Sequence, residues 1–426
     1  MNVNKLHTKL KGGAVIYTLT ISLLIGFTLL WLIFFKTIHN RFFIEQFVRQ
    51  NLVDNVESGL HLLLSKEQTL ALNDSITIDL FGKQTDSVQL WRKSWGAYEI
   101  IACRAFSKKQ AILKQALIGY SDSLLPSLYL KNNNAPLLIC GKTRLKGTVY
   151  LPERGVERTY IEGQEYTGEK MVYGQIKKSH AVFPQLSQEW KDELANLFDE
   201  LNRSNATHQS LTDLLIDSLH VNFTQPTRYL NMGNNKFLSG MKLSGNIVVF
   251  SNQELTIERN NRINHILVIA PQIKVASGFE GRVHLVANRE ITIEPKVKLH
   301  YPSSVVVQAD RSTVSDNPVS ITLNEGGSIE GAIALLAAHY TPQQKSSMLK
   351  IDKESLVSGM VYANANVELK GKVNGSLYCS DFILKTPSAV YKTTLLNASI
   401  VNELPPYFTG YLPIKQGNKN IMMWLN

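Results

Sequence analysis

Few side chains in this sequence are of types that do chemistry, and they are scattered. The segment QADRSTVSDN carries Asp310, Arg311 and Asp316, two carboxylates and a cation in one polar stretch. Carboxylates with a nearby base are the components of acid–base cleavage of a glycosidic linkage, provided they converge on one groove. A solvated turn is the preferred reading of these three residues. His265, His284, His300 and His339 have no Cys or His partner at metal-ligand spacing, so no metal is expected. Cys103, Cys140 and Cys379 follow apolar residues (IAC, LIC, LYC) and form no CxxC pair, which reads as three small buried hydrophobes. There is no Walker loop, no GxSxG and no dinucleotide fingerprint. No catalytic residue and no cofactor is expected, and the chain reads as a non-enzyme.

The composition sets the class of molecule that could position such groups. With 426 residues and 44% apolar content the chain can bury two or three cores, and 19% charged residues is too few for a disordered, solvating polymer. A net charge of +10 suits an anionic partner or a generally basic surface. No basic run is interleaved with aromatics, so no nucleic acid is expected as a partner.

The N-terminus predicts a membrane helix. Residues 14–35 read AVIYTLTISLLIGFTLLWLIFF, 22 residues without a charge. Lys5, Lys9 and Lys11 precede the run and Lys36, Arg41 and Arg49 follow it, so basic residues do not fix the orientation. Ile44, Val48, Leu52, Val56, Leu60 and Leu64 then recur every fourth residue. That apolar stripe continues the helix beyond the lipid and predicts one rod of about 75 Å.

Short alternating segments follow, SITIDLF, SVQLW and AYEIIACRAF, which predict a small antiparallel sheet beside the rod. SQEWKDELANLFDELN predicts a helix, with Ser187 as N-cap, Glu189 in the first turn, and Trp190, Leu194, Leu197, Phe198 and Leu201 on one face. LTDLLIDSL, Leu211 to Leu219, reads as a weaker second helix.

One frame is written six times: LKGTVYL, LSGNIVV, FEGRVHL, IEGAIAL, VSGMVYA and VNGSLYC, with glycines at Gly147, Gly245, Gly281, Gly331, Gly359 and Gly375. Between copies, ELTIE, QIKVA and EITIE are spaced so that Leu255, Ile273 and Ile291 share a register, as do Ile257, Val275 and Ile293. Short alternating strands at a fixed period predict the turns of a parallel β-solenoid, with in-register aliphatics stacked in a narrow core. The glycine lets the backbone turn where a Cβ would crowd the next coil. The segment from Gln308 to Ser320 interrupts the rhythm. Outward residues of the rungs are Lys, Glu, Asn, Ser and His and are expected not to cluster.

The expected fold class is thus an α+β N-terminal part with a long membrane helix, followed by a mainly-β parallel β-solenoid. The expected divisions are a basic leader (1–13), the membrane helix with its amphipathic extension (14–65), a small α+β region (66–135), a linking region with rungs and helices (136–240), the solenoid (241–403) and a C-terminal cap (404–426).

Two resemblances add to this. The leader ending in Lys11-Gly12-Gly13, the apolar run from Ala14 and the extension NLVDNVESGLHLL with Glu57 and Gly59 resemble type IV minor pilins and type II secretion pseudopilins. The run holds no acidic residue, as in some minor pseudopilins. This resemblance covers about the first 65 residues and implies peptidase processing at Gly12 or Gly13. An ordinary single-pass anchor with a juxtamembrane helix reads the same residues without processing. The repeated frame resembles bactofilins, polymer-forming bacterial β-helix proteins, over about residues 240–400 with an outlying rung at 140–151. Asp-Ser-aliphatic at Ser75, Ser87, Ser123 and Ser218 is similar to the O-glycosylation sequon of Bacteroidota envelope proteins. Together these imply a structural protein of the bacterial inner membrane, single-pass, with a periplasmic or extracellular ectodomain. Expected partners are the membrane, other envelope or pilus-assembly subunits or the chain itself, and a glycan. The alternatives are a surface adhesin and a membrane-anchored polysaccharide-active β-helix enzyme.

Overall fold

The computed structural model of the chain describes residues 12–65, 70–82, 86–108, 110–121, 125–203, 209–210, 217–309, 318–338, 347–405, 408–414 and 418–425. Helix α1 runs unbroken from Gly12 to Leu64. It is long and apolar enough to cross a membrane, and none of its most apolar window is buried against the rest of the protein. The hydroxyls of Thr18, Thr20, Ser22, Thr28 and Thr37 are satisfied within the helix, each donating to a carbonyl one turn back. This is the expected membrane anchor.

The second half of α1 docks on protein. Leu52, Val56, Leu60 and Leu63 are buried, while Ile44 is 60% exposed. The spacing of four read from the sequence drifts by about 40° per step on a 3.6-residue helix. By the last turn the buried position has therefore moved from Leu64 to Leu63. The docking surface is the expected antiparallel sheet: β1 (Ser75–Ile78), β2 (Ser87–Trp95), β3 (Tyr98–Phe106) and β4 (Ala111–Ser121), paired in that order. A fifth strand, Asn418–Leu425, pairs antiparallel with β4. The tail expected to cap the coils thus contributes its strand to the N-terminal sheet, where Leu425 is buried.

The remainder is a large, mainly parallel β region. Ser218–Val221 pairs with Lys242–Gly245, and the ladder continues through Arg262–Ile269, Glu280–Ala287, Lys298–Gln308, Ser328–Leu336, Leu356–Leu369 and Lys372–Lys385. Alongside it, Leu255 faces Ile273, then Ile291, Ile321, Leu349 and Val367, all essentially unexposed. The sequence interval along this column is 18 residues from Leu255 to Ile273 but 30 from Ile291 to Ile321. The ladder therefore passes across the break in rhythm, with Gln308 paired to Leu336 and Ser320 to Glu290. Ser218 and Leu219, read as the end of a second helix, lie in a strand, because pairing with Lys242 and Leu243 overrides local helical preference.

The outlying rung joins this ladder at the end laid down last. Arg144–Lys146 pairs with Ser399–Val401, and Leu128–Leu130 pairs with Leu377–Cys379. Val149–Leu151 and then Ile176–Lys178 add beyond them. The chain lays these strands first and returns through helix α2 (Gln188–Arg203) to begin the rest at Ser218.

Gly331, Gly359 and Gly375 stand directly above one another in the ladder, with φ of 140°, 143° and 139°. A Cβ on Gly359 would strike the carbonyl oxygen of Gly331, and one on Gly375 that of Gly359. The positive φ and the backbone contact both exclude a side chain. Gly359→Ala should destabilise the protein by on the order of 3 kcal/mol, read as a lower midpoint in denaturant unfolding. An unchanged midpoint would contradict this packing.

Candidate functional site

The residues that tie the anchor to the β region lie in two seams. In the first, α1 meets the sheet at Gly59. A Cβ there would sit 2.6 Å from Cys103 Sγ and 2.9 Å from Leu90 Cδ2, so the helix backbone lies directly on β2 and β3. Glu57, one turn edge away, forms an exposed ion pair with Lys114 of β4 at 3.0 Å.

The second seam joins the sheet and α2 to one face of the parallel ladder. Trp95, Tyr98, Trp190 and Leu194 cluster with Val248, Phe250, Leu267, Ile269 and Val286 of the ladder. Trp190 donates its indole N–H to Gly96 O at 3.3 Å, and Gln308 donates to Lys191 O at 3.0 Å. Strands beneath this cover read IVVF, ILVI, VHLVA and SVVV. Such near-continuous apolar runs mark strands buried on both faces, whereas ELTIE and EITIE mark strands with one solvated face. That contrast was available in the sequence as the sign of a covered face.

A polar cluster, buried at Arg92 and Glu99 and open to solvent at Glu189, ties the sheet to α2. Arg92 donates to Glu99 Oε2 from Nε at 3.1 Å and Nη2 at 2.9 Å, and it also donates to Leu70 O. Glu189 lies 3.4 Å from Arg92 and accepts from the backbone N–H of Leu72 at 2.6 Å. Lys419 of the C-terminal strand lies 3.4 Å from Glu99, and the Tyr120 hydroxyl donates to Glu99 Oε1 at 3.2 Å. Burial pulls the Lys419 pKa down against the opposing pull of Glu99, and burial with the Glu99 charge raises that of Tyr120. Burial also lowers Arg92, but Glu99 and Glu189 outweigh it and the guanidinium ends above its ordinary value. Two cations against two carboxylates satisfy one another, so the cluster fixes β2, β3, β4, α2 and the C-terminal strand in one arrangement. Glu189, expected only as a first-turn charge, spends its carboxylate here.

One further pair has catalytic residue types. His284 Nδ1 lies 3.0 Å from Ser304 Oγ, with the Tyr98 ring edge-on to the imidazole at a centroid distance of 5.7 Å. Both residues are fully buried, and Ser304 also accepts from Ala97 N at 3.4 Å. The pair is sealed beneath the β2–β3 turn, and it anchors that turn to the ladder.

Of the residues singled out in the sequence, the structure brings Gly331, Gly359 and Gly375 into one column. Gly12 and Gly13 are the first two residues of α1, and Gly13 has open space around it. Ser75 begins the exposed β1, Ser87 begins β2, and Ser218 lies exposed on the ladder. Ser123, Asp310, Arg311, Asp316 and His339 lie outside the described residues. Gly245 faces Val221 and Gly281 faces Leu299, while Gly147 lies in the terminal strands beside Ser127. The three cysteines are buried and free. His300 pairs with Glu280 at 2.8 Å. Among the described residues no group of His, Cys, Asp and Glu could hold a metal ion.

No family model matches the chain, and neither does any curated protein. Among solved structures, the competence-associated pilin ComZ from Thermus thermophilus is similar at 10% identity, over 84% of this chain and 86% of that chain, with a TM-score of 0.21. This is a weak structural resemblance to a pilin-type protein.

The buried histidines give the fold an acid limit. Burial pulls the pKa of His284 to about 3, with a smaller push from His265; burial and Arg282 pull that of His265 to about 4. Both are neutral when folded. Unfolded they titrate near 6.5, so below that pH the unfolded state binds protons the folded state does not, and stability falls as pH falls. For His284 the loss should reach about 2–3 kcal/mol by about pH 4.5. Unfolding midpoints of the native protein and His284→Gln, followed from neutral pH to that point, should converge as pH falls. Parallel profiles would contradict the assignment.

Proposed function

We propose that this chain is a non-enzymatic, membrane-anchored subunit of a bacterial envelope assembly, a minor pilin-like protein or scaffold whose ectodomain is a bactofilin-like β-solenoid. The observation that carries the reading is the division of α1. Its first half offers exposed apolar residues such as Leu23, Phe27, Trp31 and Phe34, and its second half is buried on the antiparallel sheet. That sheet is in turn sealed to the ladder through Trp95 and Tyr98, with Trp190 of α2 beside them. A rod in lipid thus bears on the whole β region through a buried path, as a load-bearing or assembling subunit requires and a freely tethered catalyst does not.

On this reading the parallel strands are the coils of a solenoid, with Gly147, Gly245, Gly281, Gly331, Gly359 and Gly375 at its corners. The ectodomain is periplasmic or extracellular, and its coils serve assembly with other subunits, with a second copy, or with a glycan. Gly12 or Gly13 marks the processing point, and Ser75, Ser87, Ser123 and Ser218 are sites for O-glycan.

Intact mass of the membrane-extracted protein, made with and without prepilin peptidase in the host, tests the pilin-like part. The expected result is loss of the leader through Gly12 or Gly13 only when the peptidase is present, with any glycan adding its mass to the same species. A full-length chain in both hosts would contradict it and leave a permanently anchored scaffold.

A further inference from the structure

The ladder aligns cations that lie far apart in the sequence. On four successive rungs the outward residues are Lys242 and Ser244, Arg262 and Asn264, Glu280 and Arg282, and Lys298 and His300. The register pairs Lys242 with Arg262, Asn264 with Arg282, and Glu280 with Lys298. Lys242, Arg262 and Lys298 therefore share one column, with Glu280 between Arg262 and Lys298, and Arg282 stands in the adjacent column on the rung of Glu280. The row holds four permanent cations and a single carboxylate, Glu280, which His300 holds at 2.8 Å. At about 4.8 Å per rung the row is about 14 Å long. The same column reappears further on at Lys372 and Arg144, beyond Ser328, Leu356 and Ser399. These outward residues were expected not to cluster; the unequal strand spacing hides the row until the register is known.

The opposite column shows what a merely solvated face of this ladder does with its cations. There Lys274 pairs with Glu294 at 2.9 Å, Lys350 with Asp352 at 3.1 Å and Lys370 with Glu368 at 2.8 Å. Among the described residues Lys242, Arg262, Lys298 and Lys372 form no ion pair within 4.0 Å. Arg282 is held in place by donating to Tyr301 O at 2.9 Å, and its charge points along the row with Asn264 beside it. The row is exposed to solvent, and cations without a carboxylate partner there project a positive potential that draws an anion of matching shape.

We infer that this row is a binding surface for a linear acidic polysaccharide, with Lys242, Arg262, Arg282 and Lys298 on its carboxylates and Ser244 and Asn264 on its hydroxyls. The inference rests on the proposed solenoid and names the ligand class for it. A straight row of point charges fits a straight polyanion. A nucleic-acid duplex winds its phosphates away from a straight row, and no Phe, Tyr or Trp among these outward residues offers a base a stacking surface. A lipid surface needs no row.

The test uses the full chain in detergent micelles and polygalacturonate as the probe. Arg262→Ser with Lys298→Ser should weaken binding about tenfold at low salt, and rising salt should weaken binding to the native protein. Lys274→Ser with Lys350→Ser removes the same net charge from the paired face and should change binding less than about twofold. Equal effects of the two double variants would overturn the row as a site. So would failure to bind polygalacturonate alongside binding of duplex DNA or phosphatidylglycerol vesicles. Spin labels at Lys242→Cys and Lys298→Cys separate this from the underlying reading. Dipolar broadening without selective binding overturns the site and leaves the solenoid standing, and absence of broadening overturns the solenoid and the site together.

Discussion

Everything in the β region depends on parallel strands keeping register from rung to rung. Each rung supplies the backbone hydrogen bonds of the next, and the inward aliphatics fall in columns only if no rung slips. A slip by one residue would turn Ile273 and Ile291 outward and bring charged neighbours into a core that holds none of them. The glycine column is the strictest expression of this constraint. At Gly331, Gly359 and Gly375 three backbones lie in contact, so only one alignment of these strands is free of collision.

The same constraint explains how a membrane rod and a β ladder become one body. The ladder presents a flat apolar face because its strands are apolar on both sides there, and the sheet and α2 cover it. Arg92, Glu99, Glu189 and Lys419 come from four separate elements and meet only when the sheet, α2 and the C-terminal strand come together as that cover. Burying Arg92, Glu99 or Lys419 alone would leave a charge unpaired, so the cluster favours one arrangement of the elements that form the cover.

What could be read from the sequence was whatever depends on neighbours along the chain. The rod from Ala14 to Leu64 was legible because its apolar run and stripe are local, and the columns through Leu255 and Ile257 because their strands repeat at short intervals. The docking of Leu128–Leu130 on Leu377–Cys379 was not, since partners some 250 residues apart leave no common period. Nor was the pairing of Asn418–Leu425 with β4, where only a missing edge in three dimensions calls for that strand. The cations of the basic row belong to the same class: each is an ordinary exposed lysine or arginine until the ladder sets them in line.

The central claim is that the strands laid down first pair, in register, with the parallel strands laid down last. Disulfide trapping between Ser399→Cys and Arg144→Cys tests it most directly. The two residues are direct partners on neighbouring parallel strands, at a separation of about 4.8 Å that a disulfide spans, and the native cysteines are buried. Rapid, near-complete crosslinking on mild oxidation is the predicted result, with Ser399→Cys and Lys142→Cys, the latter in the turn ahead of the strand, crosslinking far less. Equal or negligible crosslinking of both pairs would contradict this pairing and with it the register on which the account stands.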